Sequence, residues 1–167
     1  MLSQDEIIPI VNFNDEIIWY KARKDVTPDD IYRVSACWIK DSDGNILLAQ
    51  RAFSKKHNPW KRWPAVAGKV QKWETYEENI IKELYEEVAI HALISDLQLW
   101  PKKYRTWDWT YFWQRFLYTY DWDKLLLRVE EWAVEQLKRF TPQDLKDLLE
   151  SFPDDFLESV KWWLEHF

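Results

Sequence analysis

The chain has 167 residues and carries 23 Lys+Arg against 29 Asp+Glu, a net charge of −6. That balance argues against a general nucleic-acid-binding or anionic-membrane surface, but not against a small phosphorylated ligand, which needs only a few local cations and a metal. Cys37 is the single cysteine, which excludes an intramolecular disulfide and a Cys-rich zinc site.

The length suits one domain over 1–167, with an N-terminal hairpin and turn in 1–30 and C-terminal helices in 141–167. There is no repeat and no low-complexity tract. The opening MLSQDEIIPI lacks a basic region followed by a long apolar run, so a cytoplasmic protein without signal peptide or spanning helix is expected, either a monomer or a homodimer.

Residues 7–20, IIPIVNFNDEIIWY, are two apolar runs around a polar turn at Asn12 to Glu16 and predict a β-hairpin. Thr27-Pro28-Asp29-Asp30 predicts a turn or short helical start. YRVSACWIKDSDGNILLAQRA predicts a second hairpin, with strands near 32–40 and 45–52 joined by Asp41-Ser42-Asp43-Gly44. A loop, FSKKHNPWKRWP, then leads through Ala65-Val66-Ala67 to GKVQKWETYEENIIKELYEEVAI, Gly68 to Ile90, whose centre predicts a helix near 75–88. Tyr111 to Tyr120 predicts a strand, and a polar turn at Asp121 to Lys124 precedes Leu125 to Val129. Thr141-Pro142 predicts a helix start with Thr as N-cap. A last helix is expected from about Pro153, burying Phe156, Val160, Trp163 and Leu164. Strands and helices interspersed with hairpins predict a mixed α/β layered domain.

The chemistry concentrates in Gly68 to Ile90. At about 100° per residue, Glu83 and Glu87 leave one side of the helix with Glu86 beside them, while Ile80, Leu84 and Val88 form the adjoining apolar stripe. Like charges at this spacing repel, and Lys82 points well away from them on a helical wheel. A compensating cation is therefore expected, and three carboxylates suit a hard ion such as Mg²⁺. The alternative is a solvated acidic face.

Read as G-x5-E-x7-K-E-L-x-E-E-x-A-I, the stretch resembles the signature of Nudix hydrolases, G-x5-E-x7-R-E-U-x-E-E-x-G-U with U aliphatic. The matches are Gly68, Glu74, Glu83, Leu84, Glu86, Glu87 and Ile90; the departures are Lys82 for arginine and Ala89 for glycine. Lysine lacks the fork that grips a carboxylate bidentately, so Glu74, its partner by resemblance, is expected to be held less firmly. The resemblance implies an α/β/α sandwich with a mixed sheet, and hydrolysis of a diphosphate linkage in a nucleoside diphosphate derivative or related small molecule. It implies Mg²⁺ (or Mn²⁺) as cofactor, held by Glu83, Glu86, Glu87 and the Gly68 carbonyl, with Glu83 and Glu87 central to catalysis and Glu74 and Lys82 in support. Arg51 and Lys55 in QRAFSK are placed to neutralise a diphosphate. Glu130 and Glu131 match a place where such enzymes supply a further carboxylate.

The R-x3-K arrangement, with the hairpin before it and Asn58-Pro59 after it, resembles the isopentenyl-diphosphate isomerase branch of the superfamily. That branch needs a cysteine before the motif glycine and histidine ligands, where this chain has Ala67 and Tyr32, so hydrolysis is the better reading. Cys37 is read as core, and His57, His91 and His166 as surface or structural. The rival reading is a Nudix-fold module that binds a nucleotide or diphosphate without cleaving it, favoured by Lys82, Ala89 and Trp73.

Composition adds a second problem. Glycine occurs 2 times and tryptophan 13, where ordinary usage gives about 12 glycines. Against the pattern NPGKxGPAVAGxVxxGET usual around this motif, the chain reads NPWKRWPAVAGKVQKWET, with Trp60, Trp63 and Trp73 on glycine positions. We read these, with Trp19, Trp100, Trp107, Trp109, Trp113, Trp122 and Trp132, as UGA codons that the source organism decodes as glycine. Trp38, Trp162 and Trp163 lie in apolar patterns and read as genuine. The alternative is a truly tryptophan-rich or engineered chain.

Overall fold

The computed structural model describes residues 6–55, 58–64, 66–106, 108–121 and 134–164, with backbone only at 162–164. A hairpin of β1 (Ile7–Val11) and β2 (Ile17–Ala22) comes first, followed by a 3₁₀ turn at Arg23–Asp25. Its turn is Asx-built: Asn12 Oδ1 accepts from the amides of Asn14 and Glu16. At the next turn, the Asp30 carboxylate accepts from the Thr27 amide and hydroxyl, which explains why Thr-Pro-Asp-Asp interrupts the chain there.

The main sheet is built on β3 (Ile31–Asp41), which pairs in parallel with β8 (Thr110–Tyr120) along its whole length, from Ile31 opposite Thr110 to Asp41 opposite Tyr120. The other side of β3 is divided. Its end pairs with β4 (Ile46–Arg51) at Ile39 and Lys40, and its beginning with β6 (Val66–Lys69) over Val34–Cys37. β4 then leaves β3 to pair with β5 (Arg62–Pro64) and β9 (Val134–Phe140), while β7 (Leu97–Thr106) closes the far edge against β8. The sheet is thus mixed and splits where β4 and β6 part.

Side chains alternate along β3, so each face of the sheet has its own core. Cys37 and Ile39 pack with Leu47, Val66 and Phe116 against Ile80, Leu84 and Val88 of α1 (Tyr76–Val88). Trp38 packs on the opposite face with Ile46, Leu48 and Leu117 against Leu145 and Leu149 of α2 (Pro142–Ser151), and against Phe156 and Val160 at α3 (Glu158–Leu164). This is the expected α/β/α sandwich with a mixed sheet. No helix among the described residues is long and apolar enough to cross a membrane.

Both predicted hairpins, the strand at 111–120 and the helix near 75–88 are present. So is the helix capped by Thr141, whose hydroxyl accepts from the Asp144 amide. β9 was not anticipated: its buried positions, Val134 and Phe140 with Leu137 between, recur every third residue. That spacing imitates a helix, and only pairing with β4 makes it a strand. A 3₁₀ turn does start at Pro153 (Pro153–Asp155), but the last α-helix begins only at Glu158, because Phe156 forms a bridge to Arg62 and the Leu157 amide donates to the Arg62 carbonyl, holding the chain extended between them. Leu125 to Val129 and the side chains of Trp163 and Leu164 lie outside the described residues.

α1 is firmly bounded. Thr75 and Glu78 form a reciprocal capping box. At the other end Ala89 adopts φ 58, ψ 30, with its amide and that of Ile90 closing onto the Leu84 and Tyr85 carbonyls. This is the left-handed cap that glycine fills without strain. Ala89→Gly is therefore expected to stabilise the protein by about 1 kcal/mol, a rise of about 3 °C in melting temperature, checked by thermal unfolding.

Candidate active site

β6 and α1 build the site together. Pairing with β3 sets Gly68 opposite Ser35, and the loop from Val70 to Glu74 turns the chain into α1, which lies back over β6. The Glu83 carboxylate rests against Gly68: a Cβ there would stand 2.2 Å from Glu83 Cδ and Oε1. Gly68 is thus required by close approach. One turn later, Glu87 Oε2 accepts from the Ala67 amide at 3.3 Å. Glu83 and Glu87 therefore face adjacent residues of one strand, half-buried, while Glu86 is exposed.

Lys82 does not point away, as the helical wheel suggests. Its Nζ lies 2.6 Å from Glu74 Oε1 and 3.6 Å from Glu83 Oε1, because its long stem lets the ammonium return along the helix to the loop. Nor is Glu74 loosely held: it also accepts from the Gln71 amide and from Asn79 Nδ2, both at 2.9 Å. Lysine here supplies a point charge where arginine would supply a fork, and the amide donors complete the grip.

Asn79 was not singled out in the sequence. It is fully buried, and its Nδ2 contacts the Lys69 carbonyl (3.1 Å), Glu74 and, at 3.4 Å, Glu83 Oε1. It ties β6, the loop and the carboxylate helix together. The available signal was its place one turn before Glu83, as an amide inside an otherwise apolar and charged helix. Its Oδ1 is buried without a hydrogen-bond partner.

Burial raises the Glu83 carboxyl to about 7; Lys82 opposes the rise, and the charges of Glu86 and Glu74 add to it. As the side chains stand, no three His, Cys, Asp or Glu among the described residues converge as a ready-made metal cage. Glu83 is turned toward Asn79 and Lys82, and Glu87 toward the Ala67 amide. The donor chemistry nevertheless fits a hard divalent cation: the donors are oxygens, Glu83 and Glu87 come from one helix face onto adjacent residues of β6, and the buried Asn79 oxygen is orphaned.

Arg51 ends β4 at the split in the sheet. Its guanidinium lies 5.0 Å from the Trp63 ring centroid, and the Glu87 charge counteracts the downward pull of burial on its pKa. The structure thus brings Arg51 to the carboxylate helix. Lys55 follows in the loop, its amide donating to the Ala52 carbonyl. Tyr32 is buried beneath Lys69, whose Nζ is 4.3 Å from the ring centroid. Cys37 is fully buried with its thiol pKa pushed up by burial, as a core residue should be. His91 packs on Tyr85, ring centroids 4.6 Å apart. Glu130, Glu131, His57 and His166 lie outside the described residues.

Among the suspect tryptophans, Trp60 and Trp73 have φ of 50° and 75°, the region that favours glycine. Trp73 immediately precedes Glu74 and is 85% exposed. Trp19, Trp63, Trp100 and Trp113 lie in strands, and Trp109 does not adopt positive φ; the backbone gives no reason for glycine there. Trp107, Trp122 and Trp132 lie outside the described residues.

Comparison with known proteins agrees with this geometry. The NUDIX domain model matches residues 31–160. An uncharacterized Nudix hydrolase of Nostoc sp. is 28% identical over 101 residues, 59% of this chain and 60% of that one. An isopentenyl-diphosphate Δ-isomerase of Salmonella heidelberg is 37% identical over 62 residues, 37% of this chain and 33% of that one. The match thus spans at most three-fifths of these relatives' lengths. Among solved structures, DR0079 from Deinococcus radiodurans superposes with a TM-score of 0.71 at 23% identity, covering 88% of this chain and 90% of that one. A Francisella tularensis bifunctional NMN adenylyltransferase/ADP ribose pyrophosphatase, complexed with AMP and a manganese ion, gives 0.59 at 19% identity, covering 82% and 40%. With the family model matching well over half of its residues, and Gly68, Glu74, Glu83, Glu86 and Glu87 in one loop and helix, this chain belongs to the Nudix family.

Proposed function

We propose that the protein is a Mg²⁺-dependent hydrolase, able to use Mn²⁺, that cleaves a diphosphate linkage in a nucleoside diphosphate derivative or related small molecule. The observation that carries this reading is the approach of Glu83 and Glu87, from one face of α1, to Gly68 and Ala67 of β6. A bound divalent cation would neutralise phosphate oxygens and lower the pKa of a water. Glu83, Glu87 and the Gly68 carbonyl would hold it, with exposed Glu86 as a third carboxylate reached from solvent. Glu74, through Lys82 and Asn79, fixes Glu83. Arg51, and Lys55 in the loop beyond it, would neutralise the diphosphate. Ala67 offers no thiol for the proton transfers of an isomerase, so water is the reactant.

The Francisella neighbour, which carries an ADP ribose pyrophosphatase activity in its name, and a C. elegans Ap4A hydrolase of TM-score 0.51 suggest the panel to use: ADP-ribose, dinucleoside polyphosphates and nucleoside diphosphates. Turnover of at least one with Mg²⁺, lost on adding EDTA, is expected. Tight binding without turnover, in this chain and in one with Trp60 and Trp73 changed to glycine, would instead establish a non-hydrolysing binding module.

A further inference from the structure

We propose that Asp15, at the turn of the β1–β2 hairpin, is a positioning residue for the carboxylate helix, holding α1 through the Tyr76 hydroxyl; this role rests on the divalent-cation site proposed above. Its side chain is 8% exposed and pairs with Arg33 Nε of β3 at 2.7 Å and with Lys102 Nζ of β7. It also accepts from the Tyr76 hydroxyl at 3.0 Å. One carboxylate at a hairpin turn thus joins a central strand, an edge strand and the first residue of α1. Asp15 holds φ 61, a conformation that glycine takes with less strain. What glycine could not supply there is the carboxylate.

Tyr76 connects this cluster to the site. Asn79, Ile80 and Glu83 follow it along one side of α1, at i+3, i+4 and i+7. Tyr76 is held at both ends: its hydroxyl by Asp15, and its backbone carbonyl by Ser35 Oγ at 2.9 Å, Ser35 being the β3 residue opposite Gly68. A rotation or slide of α1 would therefore break the Asp15 contact and lift Glu83 from Gly68 together. Burial and the Asp15 charge push the Tyr76 phenol pKa up, so the hydroxyl remains a donor.

The hairpin reaches the loop before α1 as well. The Ile7 carbonyl accepts from the Lys72 amide at 2.8 Å, and the carbonyl of Arg33, the partner of Asp15 on β3, accepts from the Val70 amide at 3.0 Å. Ile8 and Ile10, buried with Val26 and Tyr32, anchor the hairpin itself. The loop that delivers Glu74 and the first turn of α1 are thus fastened to one element, which precedes the family domain of residues 31–160.

Asp15→Asn in the full chain is expected to weaken binding of Mn²⁺, added alone and followed by its electron paramagnetic resonance, by about 10-fold or more, the loss usual when a group behind a metal ligand is removed. With substrate, kcat should fall comparably while KM changes little. Tyr76→Phe, which deletes only the hydroxyl, should reproduce the loss, and the double variant should be no worse than Asp15→Asn, since the two residues act in series. Leu145→Ala, in the core on the other face of the sheet, is the control: at an equal or greater loss of melting temperature it should leave Mn²⁺ affinity unchanged. Unaltered affinity in Asp15→Asn, additive effects of the two substitutions, or an equal loss in Leu145→Ala would each overturn the role. Hydrogen exchange in EDTA reads the hold on α1 without metal: relative to the Leu145 amide, the Lys72 and Asn79 amides should exchange about 10-fold faster in Asp15→Asn. A chain that binds no Mn²⁺ yet shows this acceleration would overturn the cation site while supporting the hold on α1; unchanged relative rates would overturn the hold itself.

Discussion

Glu83→Gln is expected to lower diphosphate hydrolysis on the order of 10³-fold while making the metal-stripped protein more stable at pH 8. Burial and the neighbouring charges of Glu86 and Glu74 outweigh Lys82 and hold the folded-state carboxyl near 7, against 4.5 for the unperturbed group. Between those values the folded state binds the extra proton, so stability contributed by this group is present at low pH and lost as pH rises through 7. Above pH 7 the ionised carboxylate destabilises the fold by roughly 2–3 kcal/mol, with only 15% of the side chain exposed to moderate that figure. Glutamine keeps the shape and removes the charge. The gain should therefore appear at pH 8 and nearly vanish by pH 4.5, measured by melting in EDTA. The same linkage makes divalent-metal affinity fall as pH drops through 7, since the proton and the ion compete for Glu83. Glu87→Gln should lose activity comparably, and near-normal turnover would remove Glu87 from the site. A Glu83→Gln protein that loses activity but melts identically at both pH values would show that the carboxylate is solvated in the metal-free state.

How much of this was legible in sequence depended on how local the cause was. The carboxylate spacing, the Thr141 cap and both N-terminal hairpins are set within a few residues, and all could be read. Gly68 was legible only as a motif position; its reason, the Glu83 carboxylate pressed onto it, belongs to the packing of α1 on β6. The Lys82 contact to Glu74 runs back two helical turns, beyond what a wheel projection shows. β9 escaped because its burial period is that of a helix, and its partner β4 lies more than eighty residues earlier. Arg51 was legible as a cation at the end of a strand, but its approach to Glu87, like the contacts of Asn79, depends on how β4 and β6 part, which no local pattern announces.

Trp73→Gly and Trp60→Gly together are expected to stabilise the chain by about 2 kcal/mol, some 5 °C in melting temperature. Both residues hold a left-handed backbone, at roughly 1–2 kcal/mol of strain each for a side chain that bears Cβ. Little packing opposes the change: Trp73 is 85% exposed beside Lys72, and Trp60 is 56% exposed with Phe53 as its ring neighbour. The Trp60 carbonyl that receives Gln50 is backbone and survives. Trp63 and Trp113 should respond with the opposite sign. Trp63, half-buried, packs on Ala49 and Val134, and Trp113 is 6% exposed with the Arg105 and Arg115 guanidiniums against its ring. Truncating either indole in this chain should cost about 3 kcal/mol or more through the cavity left behind. If glycine stabilises all four positions, those cavities close around it, as recoding at every suspect codon requires. If it stabilises only 60 and 73, the buried indoles belong to the fold. UGG codons at 60 and 73 would end the recoding reading and leave a true tryptophan-bearing loop under strain, beside Glu74 and the helix that carries the site's carboxylates.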